Sequence, residues 1–437
     1  MTFGLPSRRQ ALAAGAALFA TRLGAAPDRP VRVAAIVTTM QHRSHAHVIL
    51  ENFLEPYLFR GKMVEPGMRV VSMFVDQVGP GDMSAGVAKD YGIEVYPTVA
   101  EALYRKGKDL AVDAILLIGE HGKYPTDARG VVQYPRKRLF DDCVRVIRDT
   151  KRPVPIFCDK HLSYRWDWAK EMVDTARELK VPFQAGSSVP LAQRWPDVPQ
   201  PGGAVRHAVS VHGGPFEGYD IHALEVLQSV MEARGPSETG ISKVQFLGAD
   251  AIWEFASKEP WLVELGDQAM AAELGPGQPS LPKLVRTPAF RATPHAIVLD
   301  YRDGLRAAVL KVGGSATRWN LAWRPAAGGK DVATRFYVGP WDNRNLFKAL
   351  SHAIQHLFRT GRPPYPVERT LLTTGALCAA VDSRERMGAA VETPHLHIEY
   401  TPRDFSAFRE DGASWKILTE GTPEPKGITR GGHRPPD

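Results

Sequence analysis

Residues 153–190 read PVPIFCDKHLSYRWDWAKEMVDTARELKVPFQAGSSVP. The short apolar run Val154 to Phe157 predicts a buried strand, and Asp159, Lys160 and His161 follow where that strand ends. Ala169, Met172, Val173, Ala176 and Leu179 then recur at helical spacing, which predicts an amphipathic helix. A second apolar run, Val181 to Ala185, closes a strand–helix–strand unit of the kind that builds parallel sheets. Ligands gather at the carboxyl ends of such strands, so Asp159, Lys160 and His161 stand where chemistry is expected. The alternative is a charged loop that caps a helix.

Upstream the alternation continues. Val31 to Val37, Arg69 to Val75, Ile93 to Tyr96 and Val112 to Ile118 are strand-like, and helical segments separate them, Leu139 to Asp149 among them. This predicts a doubly wound α/β domain over residues 28–187. A second domain, 188–400, carries a predicted helix at Asp220 to Glu232 and extended segments from His295 to Val338. Asp303-Gly304 and Gly313-Gly314 punctuate those segments as turns, predicting antiparallel pairing. Two helices close it, near Asn343 to Thr360 and Val367 to Ser383. Residues 401–437 form a polar tail rich in proline and glycine, with a disordered end.

The chain has 437 residues and a formal net charge of +7, with basic residues scattered rather than striped, which argues against nucleic acid as a partner. Three cysteines, Cys143, Cys158 and Cys378, give neither a disulfide framework nor zinc spacing. Ser7-Arg8-Arg9-Gln10-Ala11-Leu12 precedes an alanine-rich run that ends at Gly24-Ala25-Ala26. Residues 1–26 thus resemble a twin-arginine export signal, which implies a periplasmic or secreted protein. The run is too short to span a membrane.

The order of these pieces resembles the glucose–fructose oxidoreductase and inositol dehydrogenase (Gfo/Idh/MocA) family over most of the mature chain. The resemblance rests on Ala88 to Leu103 (AKDYGIEVYPTVAEAL), on Val112-Asp113-Ala114-Ile115, and on Pro155 to Gly186, where Asp159-Lys160-His161 stands in place of the family's Glu-Lys-Pro motif. Tyr365-Pro366-Val367-Glu368 and the helix after it resemble the family's closing segment. The resemblance implies a Rossmann-like first domain and a second α/β domain with a large, mostly antiparallel open sheet. It also implies NAD(P)-dependent hydride transfer on a sugar or polyol, and association into a homo-oligomer through that sheet.

Two places depart from the family pattern. Thr38 to His47 (TTMQHRSHAH) contains no glycine where the family has a glycine-rich turn against the pyrophosphate. Thr38, Thr39 and Ser44 are the residues there that can donate to phosphate. Asp76, at the end of the second strand, takes the position of a carboxylate that binds ribose hydroxyls, which favours NAD over NADP. Glu120, His121 and Asp159 complete the cofactor set. In the second domain His222 falls in the family's histidine position while Gly218 replaces the aspartate, leaving Glu217 or Asp220 to substitute.

Lys160 and His222 are the expected catalytic pair. Lys160 would give or take a hydroxyl proton with a pKa lowered by burial, and His222 would act as its acid–base partner. His45 and His47, with Glu120, His121 and His161, form a candidate divalent-metal group. His395 and His397 alternate on a predicted strand. The alternative to a dehydrogenase is the same fold with a degenerate cofactor site, serving as a periplasmic carbohydrate-binding protein or as a metal-assisted lyase or hydrolase.

Overall fold

A computed structural model describes residues 29–435, so the expected export signal lies outside the described residues. The first strand, β1 (Val31–Val37), is a β-branched run with nearly every side chain buried. It leads into α1 (His45–Leu54), a small hairpin of β2 (Tyr57–Phe59) and β3 (Lys62–Val64), β4 (Met68–Val75), α2 (Ser84–Tyr91), β5 (Glu94–Tyr96) and α3 (Val99–Tyr104). Then come β6 (Ala114–Ile118), α4 (Arg136–Thr150), β7 (Ile156–Asp159), α5 (Trp166–Glu178) and β8 (Phe183–Gly186).

These strands form a six-stranded sheet in the order β5-β4-β1-β6-β7-β8, parallel throughout. Strand order reverses between β1 and β6, the switch point where a crevice opens at the carboxyl ends of a doubly wound sheet. The expected doubly wound domain is therefore present.

The second part contains β9 (Gln193–Trp195), β10 (Val205–Gly213), α6 (Asp220–Met231), β11 (Ile241–Leu247), α7 (Ala249–Lys258), α8 (Trp261–Leu274) and α9 (Leu281–Leu284). It continues with β12 (Ala296–Tyr301), β13 (Arg306–Lys311), β14 (Ser315–Pro325), β15 (Val332–Tyr337), α10 (Asn343–Thr360), α11 (Val367–Glu385) and β16 (Val391–Glu392). Eight strands pair in the order β16-β11-β12-β13-β10-β14-β15-β9, antiparallel except for β10 beside β13. The Asp303-Gly304 turn joins neighbours, as expected. Gly313-Gly314 does not, because β10 lies between β13 and β14.

Period-two alternation gives this sheet two apolar faces. Ile297, Leu299, Ala307, Val309 and Leu321 point toward α6 and α11. Val298, Ala308, Leu310 and Ala322 point the other way, against Leu262, Leu265, Ala269 and Met270 of α8. The face that would serve for association in an open sheet is thus covered by the chain's own α7–α9 segment. The two edges of the sheet stay open.

The first sheet is also closed on both sides, and one layer comes from the far end of the chain. Phe347, Leu350, Ala353, Ile354 and Leu357 of α10 pack with Val33, Ala35, Ile49 and Leu50 in one buried cluster. The C-terminal end, expected to be disordered, instead lies on this domain through residue 435. Ile428 is 2% exposed, Ile428 N–H donates to Glu51 at 2.9 Å, and Arg434 sits 4.5 Å above the Tyr91 ring. A polar, proline-rich segment can be ordered in this way because its partners are side chains of α1 and α2 rather than a core of its own.

Candidate active site

The ends of β6, β7 and β8 carry Gly119-Glu120, Lys160-His161 and Ser187 to one place. β6 ends in glycine for a steric reason: a Cβ at Gly119 would stand 2.6 Å from Arg136 Cγ. Lys160 adopts φ 62°, and its backbone pairs with Gly186 through N–H···O contacts of 3.2 and 3.1 Å. Gly186 has φ +125°, and a Cβ there would lie 2.7 Å from Thr370 Oγ1. Both residues sit in the left-handed region of φ, and for the lysine this is a strained conformation of the sort that collects at functional sites.

The side chains form a chain of charges. Lys160 Nζ lies 2.8 Å from Glu120 Oε1 and donates to Gly218 O at 3.3 Å. The other oxygen of Glu120 accepts from the fully buried Arg136, whose guanidinium stands 3.3 Å from His161 Nε2. His161 Nε2 in turn lies 3.3 Å from Glu217 Oε1. On the α6 side, His222 Nδ1 meets Ser187 Oγ at 2.6 Å, and Ser187 also accepts from Val189 N–H at 3.0 Å. At the β1 side, His45 Nδ1 meets Asp159 Oδ2 at 2.6 Å. Lys160, Glu120, His161, His222, Ser187 and Asp159 are all buried.

Burial opposes ionisation of Glu120, but Lys160 and Arg136 outweigh it and hold the carboxyl well below its usual range. Burial likewise works against the Lys160 ammonium, and Glu120 outweighs it, so the lysine pKa is raised. This corrects the expectation of a lysine pKa lowered by burial: Lys160 remains a cation, because its neighbour is a carboxylate. Burial and then the charge of Lys160 push His222 well below its ordinary value, leaving a neutral imidazole. With Nδ1 held by Ser187, Nε2 is the ring nitrogen left to exchange a proton.

Other expected site residues are placed differently. His45 and His47 sit on helix α1, so side chains two apart diverge. His47 packs beside His42 with ring centroids 5.2 Å apart, away from Glu120. His395 lies within a single 3-10 turn, Pro394–Leu396, and His397 caps it, so the two do not share a strand face. His395 lies tilted against Trp166, ring centroids 5.1 Å apart, and His397 pairs with Glu399 at 2.9 Å.

Among the described residues the one group with metal-ligand spacing is His212, Asp220 and His295. Asp220 Oδ1 lies 2.8 Å from His295 Nε2 and 3.2 Å from His212 Nε2, and Oδ2 accepts from Glu217 N–H at 2.9 Å. Gly214 N–H points at His212 Nδ1 from 3.3 Å, which assigns the imidazole proton to Nε2, facing Asp220. Asp220 thus ties His295 to the Glu217 loop by hydrogen bonds, while His212 Nε2 faces it without one. Of the two substitutes for the missing aspartate, Glu217 reaches the charge chain and Asp220 does not.

Arg136, Ser187 and Trp319 were not singled out in the sequence. Arg136 opens α4 within the run Arg136-Lys137-Arg138, which reads as a solvated basic helix end, and only Gly119 across the sheet hints otherwise. Trp319 stacks on Tyr219 at 5.2 Å and stands edge-on to His222 at 5.4 Å, an aromatic wall of the kind that sugar rings lie against.

A dinucleotide in this kind of fold lies across the ends of β1, β4 and β6. Here the turn after β1 is directed inward. Thr38 Oγ1 donates to Glu120 O at 2.6 Å, Thr39 is buried, and Ser44 Oγ accepts from Gln41 N–H at 3.2 Å and His47 N–H at 3.4 Å. The first amides near α1 go to side chains: Arg43 N–H to His47 Nδ1 at 2.8 Å, and His45 N–H to His121 Nδ1 at 3.5 Å. Asn343 Nδ2 donates to Arg43 O at 2.9 Å, and Arg43 pairs with Glu424, so the helix start is covered as well. Both oxygens of Asp76 are engaged, one by Tyr124 Oη at 2.7 Å and one by Arg138 at 2.6 Å. Side chains as placed do not fit a pyrophosphate or a ribose at these two positions.

No protein-family model matches this sequence, and no curated protein matches it. Its fold is similar to solved structures. Myo-inositol 2-dehydrogenase from Lactobacillus plantarum matches with a TM-score of 0.51 at 11% identity, over 83% of this chain and 99% of that one. GenD2 from gentamicin A biosynthesis, solved in complex with NAD, matches with 0.52 at 13% identity, over 84% and 98%. A myo-inositol dehydrogenase from Corynebacterium glutamicum ATCC 13032 matches with 0.50 at 14% identity, over 83% and 98%. At these identities the likeness is one of fold, and it is the two-domain dehydrogenase fold that the resemblance implied.

Proposed function

We propose that this chain is an enzyme on the Gfo/Idh/MocA fold that binds a sugar or polyol between its two sheets and moves a substrate proton at Lys160 and His222. The observation that carries this reading is the buried pair of Lys160 and Glu120 beside a neutral, Ser187-held His222. The Lys160 ammonium donates to a substrate oxygen and stabilises negative charge developing there. His222 Nε2 accepts the proton that leaves a neighbouring carbon or hydroxyl. Glu120 keeps Lys160 charged and aimed, and Arg136, His161 and Glu217 hold Glu120 from behind. The stacked Tyr219 and Trp319 offer an apolar face to a sugar ring.

Hydride transfer by NAD(P) is the finer reading that the fold suggests, since a structure with the same fold binds NAD. The inward-directed β1–α1 turn and the engaged Asp76 argue against it in this chain, so no step is assigned to a dinucleotide. Native mass spectrometry of the full chain with millimolar NAD and NADP tests this directly. The expected result is the bare chain mass together with thermal stabilisation by a polyol such as myo-inositol. One dinucleotide per chain would restore the dehydrogenase reading. Export through residues 1–26 is part of the proposal, and N-terminal sequencing of periplasmic protein is expected to begin near Pro27.

A further inference from the structure

Three arginines are among the largest fully buried side chains: Arg136, Arg194 and Arg369. Arg136 is paired with Glu120, and Arg369 with Glu232. Arg194 is 1% exposed, and its Nε, Nη1 and Nη2 have no hydrogen-bond partner. Its guanidinium stands 5.7 Å from the Phe336 ring, a contact that does not neutralise a charge. Burying an unpaired ion is costly enough that proteins supply a partner. Burial, and then the neighbouring Arg409, lower its pKa to about 9.

Arg194 lies on β9, the edge strand of the eight-stranded sheet, and borders a cavity of about 750 Å³. Arg409 and Arg403 border it as well. So do three carboxylates, each already used. Asp197 is 79% exposed and lies 3.7 Å from Arg409, Asp404 accepts from Ser406 N–H at 2.8 Å, and Glu232 takes Arg369 and accepts from Tyr400 Oη at 2.9 Å. The positive charges left without a carboxylate are those of Arg403, which is exposed and donates to Pro363 O at 3.0 Å, and the buried Arg194. The cavity is not the active site: Glu232 is ten residues beyond His222 along and just past α6, about 15 Å at 1.5 Å per residue.

We propose that this cavity is a second ligand site, which takes a small oxyanion, a phosphate ester or a carboxylate, on the Arg194 guanidinium with Arg409 beside it. A planar guanidinium with all its donors unspent matches such a group bidentately. Ser187, which holds His222, is seven residues before Arg194, joined to it through the 3-10 turn Val189–Leu191. An anion on Arg194 is therefore linked to the active site by a short, well-packed piece of backbone.

The test is calorimetric titration of the full chain with inorganic phosphate and, separately, with succinate, at ionic strength held constant with chloride. One saturable site for either anion is expected. Phosphate alone would assign a phosphate ester, and succinate alone a carboxylate. Arg194→Met is expected to abolish that binding while keeping the circular dichroism spectrum. Arg409→Gln, at a less buried position, is expected to weaken it several-fold and serves if the first variant does not fold. No saturable heat with either anion overturns the proposal, as does binding unchanged in both variants.

Discussion

Two buried arginines make opposite use of one chemistry. Around Arg136 the cations share a fixed partner: Glu120 takes both Arg136 and Lys160, and Glu217 lies beside the His161 ring. Around Arg194 the guanidinium has none. The first region is preorganised, with its charges spent on holding one another in place so that a substrate meets fixed groups. The second has its charge unspent, which suits recognition of an anion that comes and goes. Burial alone distinguishes neither; the pairing does.

The largest expected difference is one of sign. Glu120→Gln leaves Lys160 and Arg136 buried without their anion and is expected to destabilise by about 3–5 kcal/mol in urea denaturation. Arg194→Met removes an unpaired charge and is expected to leave stability equal or higher. If both substitutions cost the same, the contrast between the regions fails. Next in size, Lys160→Met is expected to lower turnover on a responsive polyol roughly 10²–10⁴-fold while that polyol still shifts the melting temperature.

A further effect depends on pH. His47 and His121 have pKa values pushed down to about 4 by burial, and His222 is pushed well below its usual value by burial and Lys160. In the unfolded chain these groups take protons near pH 6.5, whereas the native state refuses them. Stability is therefore expected to fall as pH drops from about 6.5 toward 4, by up to about 1.4 kcal/mol per pH unit for each group. Denaturation at pH 7.5 and pH 5 checks this, and His222→Gln should flatten the slope. Least of all, Asp76→Asn loosens a partly exposed contact with Arg138 and is expected to change stability by no more than about 1 kcal/mol, with NAD affinity unaltered.

Much of this architecture was legible in the sequence. Short β-branched or apolar runs such as VRVAAIV and AILLI read as buried strands by their length and composition, and the α5 pattern turns the same face inward every three or four residues. β10 and α8 were not legible. β10 carries His207, Ser210 and His212 among its valines, and α8 is flanked by Gly275 and Gly277 and interrupted by Gly266. That glycine is a packing device, since a Cβ there would lie 2.3 Å from Leu281 Cδ1. Lys160, Glu120 and His222 could be singled out because the strand ends and the family motif mark them. Arg136 and Arg194 were not, because an arginine's partner, or its lack of one, is a fact of three dimensions that no local pattern records.

The α10 layer and the C-terminal segment also set the order in which the molecule can be made. Phe347, Leu350 and Ile354 close one face of a sheet whose strands are complete by residue 186, and Ile428, bonded to Glu51 of α1, follows later still along the chain. A nascent chain thus carries the uncovered face of β1 and α1 through the synthesis of more than half its length. An apolar face left uncovered during that interval is the kind of surface a chaperone holds.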